Sequence, residues 1–294
     1  APLFGQPPAG VLFDTALERT FVRYQDELLA SGRLPYRQPW IGVLHCPPVV
    51  PHHFNAAKST AQIFATPTWQ DSLPHCRGLI ALAPSMTRWI ASQVDVPVLA
   101  LLHPTEAPPM RFSIDNYRAA GCPIVQIGWW LRRLADIERL PIPPQRKALQ
   151  TPGLSNDPQR FHTVLETEIA LTGAPPLSQW NTKILDRLPN DAYDAMLCRS
   201  IAFLHLHNAV ACNVIIECIV RHTPVLVNPL PSVIDYLGAD YPLYFHTLQE
   251  AAAKASDIDR VAAAHRHMAA IDPNRHAAET FYRSFADSDL YRSL

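Results

Sequence analysis

Blocks of apolar residues separated by polar or proline-rich turns recur along this chain, and they predict an alternation of strands and helices. The predicted strands lie at 40–45, 78–83, 96–103, 124–128, 183–188, 201–206 and 225–227. The predicted helices lie at 86–94, 162–171, 191–198, 209–220, 247–255, 257–271 and 273–286, with shorter ones within 58–73. Such alternation is typical of α/β domains built on parallel sheets.

The segment 201–238 carries the strongest pattern. Its first strand is apolar on both faces, as strands inside a parallel sheet are. Asn208 then stands where a helix N-cap is expected, and residues 209–220 are apolar almost all round, which predicts a buried helix. Only Asn213 and Glu217 interrupt that helix, and their spacing places them on one face. Polar groups at a strand end and a helix start predict a ligand site.

The order of elements divides the chain into two α/β halves. We place the first domain at 1–120 and the second at 121–294, with the last helix free to pack on either half. Residues 141–160 are rich in proline, glutamine and asparagine, so we expect a long loop there. Residues 228–231 are predicted to form a turn.

Composition narrows the functional class. Charged residues make up only 17% of the chain, against about 25% in typical domains. The net charge is −1 and basic clusters are absent, which argues against a nucleic-acid or anionic-membrane partner. No apolar run approaches the length of a membrane span, and no signal peptide is visible. The six cysteines form no C-x-x-C pair, so we expect reduced thiols in a cytoplasmic protein.

Asn213 and Glu217 have two interpretations. A carboxylate over the start of a helix suits a ligand with paired hydroxyls, such as a ribose, because it accepts two hydrogen bonds. Alternatively, the two residues form a solvated stripe in which Glu217 pairs with Arg221, four positions later. Periodicity alone weighs these interpretations almost equally.

Four histidines follow predicted strands. His205 and His207 lie two residues apart at the end of their strand, where ligands bind in α/β sheets. No third ligand at metal-like spacing follows them, so we expect no metal site. His45 and His103 end strands of the first half, where a histidine can act as a base, polarise a substrate or cap the strand.

Arg132 and Arg133 follow a predicted strand and Gly128. An arginine there could pair with phosphate oxygens, for which its planar fork is suited, or could be ordinary surface charge. The glycine-rich motifs of Rossmann dehydrogenases and P-loop NTPases are absent. So is the G-x-S-x-G nucleophile motif of α/β hydrolases.

The run NVIIECIVRHTPVLVNPLPSVIDYLG resembles the C-terminal half of retaining, nucleotide-sugar-dependent glycosyltransferases of the GT-B fold. IVQIGWWLRRL is similar to the first strand of that half, and WIGVLHCPP to an acceptor-side strand. The combination is similar to glycosyltransferase-like proteins of bacterial polysaccharide clusters. The resemblance implies two Rossmann-like parallel-sheet domains facing a cleft.

The same resemblance implies roles for individual residues. Glu217 matches the glutamate that grips the nucleotide ribose, and Gly128 with Arg132 or Arg133 matches the positions that meet the diphosphate. Two features depart from the family pattern. Ala209 replaces an acidic residue eight positions before Glu217, and the usual phosphate-gripping lysine is missing, with Lys147 and Lys183 as poor substitutes.

Together these observations predict a metal-independent glycosyltransferase that uses a nucleotide-diphosphate sugar as donor and needs no cofactor. We expect Glu217 and Asn213 at the nucleoside, the two arginines at the diphosphate and His45 at the reaction centre. We also expect His103, His205, His207 and Asn208 to line the substrate site. Two alternatives stay open: a catalytically silent binding or assembly subunit, and a nucleotide-sugar epimerase.

Overall fold

Two compact units make up the computed structural model, which describes residues 10–151 and 158–294. The first unit comprises residues up to His103 together with Glu279–Leu294, and the second comprises Pro104–Ala278. The boundary suggested from sequence, after residue 120, falls inside the second unit, just beyond a helix that ends at Ala119.

The first unit is built on a four-stranded, fully parallel sheet of order β1-β2-β3-β4. Its strands are β1 (Leu12–Asp14), β2 (Trp40–Leu44), β3 (Cys76–Ala81) and β4 (Val98–Ala100). Its first helices are α1 (Gln25–Ala30), α2 (Thr60–Phe64), α3 (Pro67–Ser72) and α4 (Pro84–Ala91). One π-helical turn, Arg19–Arg23, follows β1, and 3₁₀ turns lie at His52–Phe54, Ala56–Lys58 and Leu73–His75.

An aromatic cluster fills the core of this unit. The Trp40 and Trp69 rings meet edge to face at 5.6 Å, and Phe64 stacks on Trp69 at 4.5 Å. Both tryptophans are fully buried, and the Trp40 indole donates a hydrogen bond to the Ser72 carbonyl, 2.9 Å away. This packing fixes the start of β2 against α3.

The second unit carries a five-stranded parallel sheet of order β7-β6-β5-β8-β9. Its strands are β5 (Ile124–Ile127), β6 (Lys147–Gln150), β7 (Lys183–Leu185), β8 (Ile201–Leu204) and β9 (Val225–Val227). Its helices are α5 (Ile114–Ala119), α6 (Asp136–Arg139), α7 (Pro158–Thr172), α8 (Asn190–Leu197), α9 (Asn213–Arg221), α10 (Pro231–Leu237), α11 (Leu248–Ser256) and α12 (Ile258–Ala270). Three 3₁₀ turns lie at Pro144–Arg146, Leu177–Gln179 and Pro273–His276.

The chain ends with α13 (Ala278–Ala286) and α14 (Asp289–Arg292), which belong almost entirely to the first unit. Gly78 in β3 shows why: a Cβ atom at that position would lie 2.3 Å from Leu290 Cδ1. The glycine therefore lets the buried Leu290 side chain reach the sheet. None of the described helices is both long enough and apolar enough to cross a membrane.

Three sequence predictions are corrected. The predicted loop 141–160 contains strand β6 and the start of α7; its residues 152–157 lie outside the described part of the chain. Strand β6 was not predicted because it begins with a lysine and ends with a glutamine. Lys147 is nevertheless buried, since its ammonium group donates hydrogen bonds to the carbonyls of Glu138 and Leu140 at 2.6 and 3.3 Å. The predicted turn 228–231 leads directly into α10, with Pro231 in its first turn.

The third correction concerns the helix predicted at 209–220, which begins only at Asn213. Cys212 occupies the N-cap position. Residues 209–212 stay in a loop, where the Ala209 carbonyl accepts a 2.7 Å hydrogen bond from the Ser232 hydroxyl of α10. Asn208 is therefore not a helix cap. Its side chain accepts a hydrogen bond from the neighbouring Ala209 amide at 2.9 Å.

Candidate functional site

The candidate site lies where β5 and β8, neighbours in the second sheet, end at its carboxyl edge. The loops that leave the two strands are joined by backbone hydrogen bonds: the Arg133 amide donates to the His205 carbonyl at 2.8 Å, and the His207 amide donates to the Leu131 carbonyl at 2.9 Å. Arg132 and Leu206 form an antiparallel bridge between them. Residues predicted from separate motifs are thereby held side by side.

Asn228, the residue after β9, connects the end of that strand to the loop that follows β8. Its side-chain amide donates to the Leu206 carbonyl at 3.0 Å, and its side-chain oxygen accepts from the Leu206 amide at 2.8 Å. Sequence analysis assigned Asn228 only to a turn. The paired hydrogen bonds show that it fixes the loop after β8.

Gly128 allows an arginine to lie across the end of β5. Its φ angle of 74° is in the left-handed region that favours glycine. A Cβ atom here would lie 3.2 to 3.3 Å from the guanidinium group of Arg132. The arginine therefore packs directly against the glycine backbone, and a larger residue would displace it.

Arg132 and Arg133 carry charges that no carboxylate of the described residues compensates. Within residues 10–151 and 158–294, neither guanidinium lies within 4.0 Å of a carboxylate. The Nε atoms of both are buried and lack a hydrogen-bond acceptor in the same ranges. Arg132 is nevertheless held in place, since it donates to the Trp130 carbonyl and lies 3.3 Å from Cys212 Sγ. Two cations without a carboxylate partner among the described residues, of which Arg132 is held in place, favour an anionic ligand.

The N-terminus of α9 adds to this positive region. Cys212 provides no side-chain cap, no acidic residue lies in the first turn, and Asn213 is exposed. The free amides and the helix dipole favour a negative group at such a position. The contact between Arg132 and Cys212 places the guanidinium beside this helix start. Together they form what we call the anion corner: Gly128, Arg132, Arg133 and the first turn of α9.

Glu217 lies one turn further along α9, half-buried. Its Oε2 atom accepts a 2.5 Å hydrogen bond from the Tyr193 hydroxyl of α8. Arg221 does not pair with this carboxylate: its Nη2 lies 2.5 Å from Asp194 Oδ1, and its Nη1 donates to the Glu217 carbonyl at 2.9 Å. The interpretation of Glu217 as the partner of Arg221 in an exposed stripe is therefore wrong.

His205 and His207 each meet a buried carboxylate. His205 Nδ1 lies 2.6 Å from Asp136 Oδ2, and His207 Nε2 lies 2.7 Å from Glu168 Oε1. Both carboxylate side chains are only 2% exposed, and both histidines are half-buried. The carboxylates orient the imidazole rings at the end of β8. The backbones of His205 and His207 are hydrogen-bonded to the loop that carries Arg132 and Arg133, so both histidines lie close to the anion corner.

His45, which was predicted to lie at the reaction centre, belongs to the first unit. His45 directly follows β2, is exposed, and lies with Nδ1 3.4 Å from Oε2 of the buried Glu18. The other oxygen of Glu18 accepts hydrogen bonds from the backbone amides of His45 and Cys46 at 2.5 and 2.7 Å. Glu18 thus fixes both the loop and the ring beside it. His103 follows β4 by three residues and is half-buried.

Asp136 is expected to make the stability of the second unit depend on pH in the acidic range. Burial alone would raise the pKa of this carboxyl, but hydrogen bonds from His205 and Arg139 outweigh burial and hold the pKa below its usual 3.8. Since the folded-state pKa is the lower one, the stabilisation is present above about pH 4 and is lost as the pH falls through the folded value. We expect Asp136→Asn to flatten the acid-induced loss of unfolding free energy, measured by urea titration at a series of pH values. The exposed Asp289→Asn is the control, and equal slopes in both variants would contradict this role.

The partners that sequence analysis missed are Glu18, Asp136, Glu168 and Tyr193. Each lies more than 20 positions from the residue it contacts, so no local spacing connects the two. For Glu168 the available signal was helical spacing, because it lies on the same face of α7 as the buried Phe161, Val164 and Leu165.

These features define an α/β protein of two Rossmann-like units, each with its own parallel sheet, and the predicted fold class is confirmed. Solved glycosyltransferase structures of the GT-B fold share it. HepE of Anabaena, in complex with UDP and glucose, matches with a TM-score of 0.63 and 16% identity over 94% of this chain and 76% of that chain.

Two further solved structures are similar to this chain at comparable TM-scores and identities. Sucrose-phosphate synthase of Thermosynechococcus elongatus has a TM-score of 0.61 and 14% identity, over 91% of this chain and 70% of that one. A UDP-forming trehalose-phosphate synthase of Burkholderia vietnamiensis has a TM-score of 0.58 and 15% identity, over 96% and 71%. No family model and no curated protein sequence matches. At identities this low, the structural similarity establishes a shared fold and nothing further.

Proposed function

We propose that this protein is a glycosyltransferase that transfers a sugar from a nucleotide-diphosphate donor to an acceptor hydroxyl. The observation that carries the proposal is the anion corner at the carboxyl edge of the second sheet. There Arg132 and Arg133, which have no carboxylate partner among the described residues, accompany the uncapped start of α9. The shared fold supports it, because HepE of Anabaena has been solved with UDP-glucose bound.

In this proposal the two phosphates of the donor occupy the anion corner. As the bond between the anomeric carbon and the phosphate oxygen breaks, the leaving diphosphate gains negative charge, which Arg132, Arg133 and the α9 dipole stabilise. The two arginines would serve in place of a divalent metal, so the reaction is proposed to be metal-independent and to need no cofactor. Retention of the anomeric configuration follows only from the family resemblance.

The remaining predicted residues have assigned roles. Glu217 and Asn213 bind the nucleoside, with the carboxylate accepting hydrogen bonds from ribose hydroxyls. His205, His207 and Asn208 shape the adjacent part of the donor site, while His45 and His103 act on the sugar and acceptor. The proposed setting is the cytoplasm and the proposed role is polysaccharide assembly, as the resemblance implies.

One observation favours a second candidate, a silent binding subunit of the same fold. Ala209 stands where related transferases carry an acidic residue, and its carbonyl is bonded to Ser232. Such a subunit would retain the anion corner and bind a nucleotide without turning it over.

Calorimetric titration with UDP, GDP and ADP, followed by an assay of sugar release from the matching nucleotide sugar with and without acceptor, tests the proposal. Binding with acceptor-dependent release supports the transferase. Binding without turnover supports the silent subunit, and acceptor-independent conversion supports an epimerase or hydrolase. The proposal fails if none of the three diphosphates binds.

A further inference from the structure

The half-buried Tyr193 directs its hydroxyl at the proposed ribose-binding carboxylate. It lies in α8, and its hydroxyl donates the 2.5 Å hydrogen bond to Glu217 Oε2. Burial raises the pKa of Tyr193, and the negative charge of Glu217 raises it further, so the hydroxyl remains a donor at neutral pH. Glu217 Oε1 has no hydrogen-bond partner within the described residues.

The same two helices are tied together independently of Tyr193. Arg221 of α9 is only 7% exposed and pairs with Asp194 of α8 through both Nε and Nη2. A third donor of Arg221 holds the Glu217 carbonyl. The interface of α8 and α9 and the backbone at Glu217 are thus fixed by the Asp194–Arg221 pair. What the Tyr193 hydroxyl adds is the orientation of the Glu217 carboxylate.

A fixed carboxylate binds a diol better than a mobile one, because its side-chain entropy is lost during folding rather than during binding. With Oε2 already bonded to Tyr193, Oε1 is the oxygen with full capacity to accept from a ligand. We propose that Tyr193 is a positioning residue that orients Glu217 toward the ribose hydroxyls and makes the donor site selective for ribonucleotides over deoxyribonucleotides. This inference rests on the proposed function.

The test compares UDP with 2′,3′-dideoxy-UDP by calorimetry on the full chain, or the corresponding GDP or ADP pair if UDP does not bind. We expect the wild-type protein to favour the ribonucleotide by about 10- to 100-fold, as for a hydrogen bond to a charged group. Tyr193→Phe removes only the hydroxyl. It should reduce this ratio several-fold while leaving the affinity for the dideoxy compound unchanged.

Two variants separate positioning from simple support of the fold. Asp194→Asn weakens the other contact between α8 and α9, so it should lower thermal stability and leave the ribose-to-dideoxy ratio at the wild-type value. Glu217→Gln keeps an acceptor for Tyr193 but removes the charge, so it should lower the ratio at least as far as Tyr193→Phe does.

The possible failures are distinguishable. If no nucleoside diphosphate binds the wild-type protein, the proposed function fails and the inference fails with it. If UDP and its dideoxy analogue bind the wild-type protein equally, the donor site stands but Glu217 does not contact the ribose. If Tyr193→Phe keeps the full ratio, or if Asp194→Asn lowers it equally, Tyr193 has only a structural role.

Discussion

The double variant Arg132→Ala, Arg133→Ala is expected to bind UDP about 100-fold more weakly than the wild-type protein, equivalent to about 2.7 kcal/mol. Arg132 is held by the Trp130 carbonyl near the end of β5, Arg133 follows it in the chain, and neither guanidinium has a carboxylate to compensate its charge within the described residues. Hydrogen bonds to charged groups contribute about 1.5–3 kcal/mol each, and the two losses overlap where both cations serve one diphosphate. Calorimetry at fixed ionic strength measures the effect.

Uridine provides a matched ligand control for this prediction, because it has the nucleoside and lacks the phosphates. Its affinity should be the same for the wild-type protein and the double variant. Arg260→Ala provides the protein control, since Arg260 is an exposed arginine paired with Asp257 on the surface of α12. An unchanged affinity for UDP in the double variant would remove both arginines from the donor site.

The order of strands and helices could be predicted because it depends on the local pattern of apolar and polar residues. The buried strands β2, β8 and β9 are continuous apolar runs, β5 is interrupted only by Gln126, and each lies close to its predicted position. Strand β6 could not be recognised in this way. Its lysine and glutamine are buried, and the burial of the lysine is compensated by hydrogen bonds that its ammonium group donates to the carbonyls of Glu138 and Leu140.

The candidate site was only partly predictable, for the same physical reason. Gly128, Arg132 and Glu217 stand out through residue type and through their place after a strand or on a helix face. Their partners belong to other elements, as Tyr193 does, and only folding brings the two together. The helix start at Asn213 was also misjudged, because residues 209–212 are helix-compatible by composition but are held in a loop by the contact with Ser232.

The pairing of Asp194 with Arg221 leads to the largest expected effect on stability. Both side chains are mostly buried, with 19% and 9% exposure, and Asp194 Oδ1 accepts from two guanidinium nitrogens. Removing one partner of a buried pair leaves an unpaired charge, which costs about 3–5 kcal/mol. We expect Asp194→Ala to lower the free energy of unfolding by this amount in urea titrations, with faster hydrogen exchange in α8 and α9.

Glu279→Ala is the matched control for this variant, since Glu279 pairs with Arg283 at the surface with 77% and 67% exposure. Exposed pairs contribute at most about 1 kcal/mol, so this control should scarcely change the unfolding free energy. The double variant Asp194→Ala, Arg221→Met removes both buried charges and should recover much of the loss. If Asp194→Ala is no more destabilising than Glu279→Ala, the pair does not hold α8 to α9, and Tyr193 would then be the tie between the two helices as well as the support of Glu217.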